Sequence, residues 1–197
     1  MKRTLEEQRD EYSQRRFLAM PLAGTIAWSV VGLAGVFLST ENAAWVLFIA
    51  TGCIVYLGLF ISRFTGENFL DKSKEKNTFD GLFLYTVMMA LLVYSIAIPF
   101  FLVDPSSLPL TVGVLTGLMW LPLSWVIQHW VGIFHAVSRT LLVVLAWYLA
   151  PEHRFTLIPL IIVLVYVVTI FIFQVRRNNQ LSLGSVRSSL DNQATSP

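Results

Sequence analysis

The composition of this 197-residue chain is that of a membrane protein. Hydrophobic residues make up 55% of it and charged residues only 13%, and the formal net charge is +2. A soluble domain carries about one-quarter charged residues, so the composition excludes an ordinary water-soluble domain. We therefore expect the lipid bilayer as the main partner, and neither a cofactor nor a nucleic-acid partner.

Six apolar stretches are long enough to cross a bilayer. A helix needs about 20 apolar residues to span a hydrocarbon core of about 30 Å. The predicted spans, numbered 1 to 6 along the chain, are 17–38, 43–62, 81–102, 108–127, 131–150 and 155–173. A β-barrel would need alternating segments of about ten residues, whereas these runs are continuous. The predicted fold is an all-α bundle of six transmembrane helices over residues 17–175.

The segments outside the bundle have different characters. In residues 1–16, Thr4 and Glu7 have the spacing of a capping box, which predicts a charged helix at the membrane surface. Before span 4, Ser106 or Ser107 is placed to cap the helix. Residues 176–197 are polar and poor in aromatic residues, so we predict a disordered tail.

The distribution of Lys and Arg predicts that both termini are cytoplasmic. Twelve of the 14 basic residues fall on one side: Lys2, Arg3, Arg9, Arg15, Arg16, Arg63, Lys72, Lys74, Lys76, Arg176, Arg177 and Arg187. Arg154 falls on the other side, and Arg139 lies within span 5.

Cysteine and histidine predict no metal site. Cys53 is the single cysteine. His129 and His135 are six residues apart, about 240° around a helix, and His153 belongs to the opposite side of the membrane.

Arg139 is the least expected residue of the bundle. It lies in the stretch "WLPLSWVIQHWVGIFHAVSRT", eight residues into span 5 and so about 12 Å deep. An arginine at that depth costs several kcal/mol, about 3 on insertion scales, unless it is paired, hydrated or reaches the interface. His135 precedes it by four residues on the same face, and we expect a neutral imidazole because a charged one would be repelled by the guanidinium.

Span 4 offers a matching face. Its members follow helical spacing: Gly113, Gly117, Trp120, Ser124 and Gln128. The two glycines form a GxxxG pattern, which predicts close helix packing. Only three residues separate spans 4 and 5, so Ser124 and Gln128 are expected to face His135 and Arg139 across a tight hairpin. These four residues, Arg139, His135, Gln128 and Ser124, are the candidate ligand-binding set.

Three interpretations of Arg139 remain open. It pairs with helix-terminal carbonyls or with an acid such as Asp80 or Glu67, it extends along the helix to the cytoplasmic interface, or it binds an anion or lipid headgroup. No Asp or Glu falls well inside any span. A proton-coupled transporter with a buried carboxylate, or a cation pore with an acidic ring, therefore lacks its usual residues.

Three blocks carry a family resemblance: "LPLTVGVLTGLMWLPLSWVIQHWVGIFHAVSRT", "RRFLAMPLAGTIAW" and "HRFTLIPLIIV". The chain, apart from its tail, resembles a domain-of-unknown-function family of uncharacterised bacterial multi-pass inner-membrane proteins. The resemblance implies a bacterial cytoplasmic membrane setting. It implies no activity, ligand or catalytic residue.

Two functions follow from these patterns. The first is a small transporter or binder of an anionic solute or lipid headgroup, with a cytoplasm-facing pocket between spans 4 and 5. The second is a structural or interaction protein, such as a homodimer through Gly113 and Gly117. An enzyme is disfavoured because no nucleophile, base and orienting group occur together, so no catalytic residue is assigned.

Overall fold

The computed structural model describes residues 3–69 and 77–194, and over these residues the chain is helical without strands. The α-helices, in chain order, are α1 Leu5–Ser13, α2 Ala19–Phe37, α3 Thr40–Gly52, α4 Ile54–Thr65, α5 Asp80–Leu92, α6 Tyr94–Val103, α7 Leu108–Gly117, α8 Trp120–Val126, α9 Val131–Leu149 and α10 Arg154–Ala194. Single 3₁₀ turns at Pro105–Ser107 and Pro151–His153 precede α7 and α10. The predicted all-α class is confirmed.

Five helical segments of the described chain are long and apolar enough to cross a membrane. They are Ala19–Phe37, Asp80–Val103, Pro105–Val126, Val131–Leu149 and Pro151–Ser182. A sixth arises if α3 and α4, bent by 48° at Cys53, form one broken span. Five to six candidate spans are thus compatible with a membrane protein, while six spans with cytoplasmic termini remain a prediction.

Pro122 explains the break between α7 and α8. A proline has no N–H to donate to the carbonyl four residues earlier, which here is that of Leu118. This carbonyl instead accepts a hydrogen bond from the Leu121 N–H at 3.1 Å, and the chain turns at residues 118–119. Pro159, by contrast, lies inside the continuous helix α10.

Two of the local predictions at helix starts have different outcomes. The capping box of α1 is confirmed, since Thr4 Oγ1 accepts from the Glu7 N–H and Glu7 Oε2 accepts from the Thr4 N–H. The predicted serine cap before α7 is wrong. Ser107 stands at the N-cap position of α7, but its backbone is already helical, with φ −68° and ψ −19°, and its side chain caps nothing; Asp104 instead caps the preceding 3₁₀ turn, accepting from the Ser106 N–H at 2.9 Å.

Helices α2, α7, α9 and α10 surround the core. Helix α10 packs chiefly against α2 and also against α9, and α7 packs against α9. Helices α3 and α4 both pack against α2. The α5–α6 segment is peripheral, with only 6% of its most apolar window buried inside the protein. The most enclosed side chains therefore lie between α2, α7, α9 and α10.

The ends of the chain complete the arrangement. Helix α1 lies near the turn between α8 and α9, since the Arg9 guanidinium donates to the carbonyls of Trp125 and Val126. The sequence predicted a disordered tail over residues 176–197; helix α10 continues to Ala194, and residues 195–197 lie outside the described part of the chain. Some residues used to predict orientation lie outside the described part of the chain: Lys2, Lys72, Lys74 and Lys76.

Candidate functional site

Arg139 lies in the centre of the bundle with none of its surface exposed. It projects from α9 into the space between α2, α7 and α10. Its guanidinium carbon is 5.4 Å from the Trp28 ring centroid and 5.5 Å from that of Tyr166. Both distances allow a cation–π interaction. The guanidinium stays inside the protein, so the interpretation that it extends to the interface is wrong.

The hydrogen bonds of Arg139 join three helices. Its Nη2 donates to Thr116 Oγ1 on α7 at 2.8 Å, and its Nη1 donates to the Tyr166 hydroxyl on α10 at 3.3 Å. Nη1 also lies 3.5 Å from His135 Nε2. The Nε donor has no hydrogen-bond partner although it is fully buried. A guanidinium has five N–H donors, so these three contacts leave part of its capacity unused.

The partners of His135 identify its tautomer. Thr169 Oγ1 donates its hydrogen to the Val165 carbonyl at 2.7 Å, so it accepts from the His135 Nδ1–H at 2.9 Å. Nε2 is then the bare nitrogen that faces Arg139. This arrangement fits the neutral imidazole expected from sequence. Trp120 stacks on the ring with centroids 4.2 Å apart and fixes its plane.

Two glycines make the space for this polar cluster. A Cβ at Gly117 would lie 3.0 Å from Arg139 Cδ, and a Cβ at Gly24 would collide with the Tyr166 ring. Gly113 packs against Ile162 and Val143 in the same way. The predicted packing glycines, Gly113 and Gly117, thus lie against side chains of α9 and α10 within this chain.

Among the side chains that the structure describes, no carboxylate forms an ion pair with Arg139. The two acids considered from sequence are engaged elsewhere. Asp80 pairs with Arg15, and Glu67 accepts from the backbone N–H groups of Leu18 and Ala19 at the start of α2, each at 2.9 Å. Burial raises the pKa of Glu67, and the two N–H groups oppose this. The predicted pairing of Arg139 with either acid is therefore wrong.

The other two members of the candidate set lie at the α8–α9 turn. The Ser124 hydroxyl donates to the His129 carbonyl and accepts from the Ile133 N–H at 3.3 Å. Gln128 is exposed and has the left-handed φ of 49° that closes the turn. The structure thus brings Arg139 and His135 together but places Ser124 and Gln128 in the hairpin connection.

Sequence reasoning missed several members of the buried cluster: Thr116, Tyr166, Thr169 and Gly24. A signal existed for α10, because Tyr166 and Thr169 are three residues apart and are the polar side chains of the run "LIIVLVYVVTIFIF". Such spacing places both on one helix face. Thr116 gave no comparable signal, since hydroxyls commonly bond the backbone of their own helix.

Two cavities lie at the end of the bundle where α2 begins and α9 starts, and Arg139 lines neither. One, of about 150 Å³, is lined by arginines and aromatic residues between the start of α2 and α10. The other, of about 460 Å³, lies beside His129 and Trp130. Burial and the nearby Arg176 lower the pKa of His129.

Comparison with known proteins gives a family without an activity. No curated protein and no solved structure matches the chain. A family model described as "Family of unknown function (DUF7010)" matches residues 5–176, which include every residue of the Arg139 cluster. The chain therefore belongs to the DUF7010 family, as the resemblance to a domain-of-unknown-function family predicted.

Proposed function

We propose that this protein binds and transports a small anionic solute. In this proposal Arg139 is the group that binds the anion. The observation that carries the proposal is a fully buried guanidinium. Its Nε donor has no hydrogen-bond partner, and it pairs with no carboxylate among the described side chains. A cation inside a bilayer needs a counter-charge. Since the described chain supplies none, a bound anion is the simplest source.

The neighbours of Arg139 support an anion rather than a cation. The Tyr166 hydroxyl can donate to an oxyanion, whereas that of Thr116 donates to the Val112 carbonyl at 2.6 Å and can serve an anion only by giving up that bond. His135 holds its bare Nε2 towards the guanidinium and so orients it. Because the guanidinium is fully buried and Gly117 lies against Nε, an anion reaches this donor only if the packing between α7 and α9 opens. The proposed setting is a bacterial cytoplasmic membrane, with both termini cytoplasmic and six spans.

Thermal unfolding in mild detergent tests the proposal. Wild type and Arg139→Gln are melted against chloride, inorganic phosphate, sulfate and short carboxylates. A ligand that binds only the folded state, at a hundred times its dissociation constant, stabilises it by about 2.7 kcal/mol. We expect one of these anions to raise the wild-type melting temperature and to leave the variant unchanged. An anion that stabilises both proteins equally contradicts the role of Arg139.

A second function is favoured by the packing of Arg139 against Gly117. In this alternative, Arg139 is an internal crosslink of a structural or interaction protein with no small-molecule substrate. A homodimer of this protein needs a surface other than Gly113 and Gly117, which pack within the chain. This alternative predicts that no anion shifts the melting temperature of wild type, and that Gly117→Leu disrupts folding rather than self-association alone.

A further inference from the structure

A small cavity lined by four arginines, here called the notch, lies at the end of the bundle where α2 begins, and Arg139 does not line it. Its volume is about 150 Å³, and its basic lining comprises Arg15, Arg16, Arg176 and Arg177. The first two precede α2 and the last two follow the apolar part of α10. Two separate segments of the chain therefore contribute arginines to the lining of the same cavity.

The charges of the notch are unequally compensated. Arg15 forms ion pairs with Glu11 and Asp80. Arg16, Arg176 and Arg177 form no ion pair with a carboxylate of the described residues. Arg16 is partly compensated by the Glu67 carboxylate, whose pKa it helps to lower, whereas Arg176 and Arg177 are neighbours on α10, and a bound anion reduces the repulsion between these charges.

Two of these three arginines are held in place by backbone carbonyls. Arg16 Nη1 donates to the Thr65 carbonyl at 2.7 Å, and Arg176 Nη2 donates to the Ser13 carbonyl at 2.8 Å. The guanidinium of Arg177 makes no hydrogen bond to a described residue. Each of these guanidinium groups keeps N–H donors beyond such bonds, and arginine donors form charge-assisted hydrogen bonds to phosphate oxygens.

The remaining lining decides what kind of anion fits. Phe17, Leu18 and Phe173 form an apolar side of the notch, and the two rings lie with centroids 5.6 Å apart. A free phosphate gains nothing from this surface. A glycerophospholipid presents a phosphate to the arginines and its glycerol and acyl carbons to the aromatic side.

We propose that the notch between the start of α2 and the end of the apolar part of α10 binds the phosphate of an anionic phospholipid, with Arg16, Arg176 and Arg177 as the phosphate-binding residues and Phe17 and Phe173 as the contact for the lipid's apolar part. Basic pockets between transmembrane helices are a known means of holding anionic lipid headgroups. The site is separate from Arg139 and does not depend on the anion proposed there.

Native mass spectrometry of the full-length protein in mild detergent, with equal amounts of dioleoyl phosphatidylglycerol and dioleoyl phosphatidylcholine, measures the preference directly. Arg177→Gln is the test variant, because loss of this side chain removes no hydrogen bond to a described residue. Arg63→Gln is the matched control, an exposed arginine outside the notch. We expect wild type to prefer phosphatidylglycerol and Arg177→Gln to lower that preference about tenfold, the effect of one charge-assisted hydrogen bond.

The controls separate this site from general attraction and from Arg139. Arg63→Gln is expected to change the preference by less than about fivefold, the effect of one charge near an anionic surface. Arg177→Lys, which keeps the charge, is expected to retain part of the preference, and Arg139→Gln all of it. Equal losses in Arg177→Gln and Arg63→Gln overturn the proposal. Displacement of phosphatidylglycerol by excess inorganic phosphate also overturns it, because that result assigns the notch to a soluble phosphate.

Discussion

Arg139 and Arg154 are both arginines held against a tryptophan, yet their surroundings differ in charge. Arg154, at the start of α10, lies 3.6 Å from the Asp104 carboxylate, donates to Ser106 Oγ at 2.6 Å and stands 3.3 Å above the Trp147 ring. Arg139 has hydroxyls, a histidine and two aromatic rings but no carboxylate of the described chain. The comparison teaches that the protein compensates an arginine at the start of a helix with a carboxylate, but surrounds the buried Arg139 with hydroxyls, an imidazole and aromatic rings.

The largest effect is expected from truncating Arg139. Arg139→Ala removes a fully buried side chain from the junction of four helices, and large-to-alanine changes in cores cost about 2–5 kcal/mol. Arg139→Met fills most of the space without charge, and apolar replacement of buried charges is often neutral or stabilising. We therefore expect the free energy of unfolding, measured by denaturant titration in detergent, to fall only for alanine. Equal destabilisation by both variants contradicts the account, since it makes the charge itself essential for stability.

Enlarging Gly117 tests the space reserved for Arg139. Gly117→Leu forces the arginine stem to move, because even a Cβ lies 3.0 Å from Arg139 Cδ. Overpacking of this kind costs about 1–3 kcal/mol. Gly52→Leu is the matched control, since a Cβ there meets nothing within 4 Å. Melting temperatures of the two variants should differ clearly, and an equal loss in both contradicts the close packing of α7 on Arg139.

Two threonines with buried hydroxyl groups sharpen the account of His135. Thr169→Val removes the acceptor of the His135 Nδ1–H and is expected to cost about 1–3 kcal/mol, the cost of a buried unsatisfied donor. Thr140 is the control, because its hydroxyl is buried without a hydrogen-bond partner. Thr140→Val should leave the melting temperature unchanged or raise it. A destabilising Thr140→Val combined with a neutral Thr169→Val reverses the hydrogen-bond assignment.

The smallest effect is expected at the compensated arginine. Arg154→Met removes an ion pair to Asp104, whose side chain is 46% exposed, together with a cation–π contact. Partly exposed pairs contribute about 1 kcal/mol or less because water and salt screen them. The variant should melt slightly below wild type and retain any response to anions. Loss of the anion response in Arg154→Met places the anion beside Arg154 and not beside Arg139.

The sequence predicts the helical class and the burial of Arg139 better than it predicts the partners of Arg139. Hydropathy identifies the apolar helices because their length must match the bilayer. The tight α8–α9 turn follows from the short connection. Tyr166 and Thr116 could not be assigned as partners, because the helices that carry them meet only through the packing of α10 and α7. Ser124 illustrates the same limit, since its hydroxyl is used by its own hairpin turn.

The most direct test of the central claim is the ¹⁵N NMR signal of the Arg139 Nε–H in the full-length protein. The signal is assigned by its disappearance in Arg139→Met and followed during titration with chloride, inorganic phosphate, sulfate and acetate. The account predicts that an anion which stabilises the protein shifts this resonance, because a new hydrogen bond forms at the unpartnered Nε. A resonance that stays fixed through every titration contradicts the claim and leaves Arg139 as an internal crosslink.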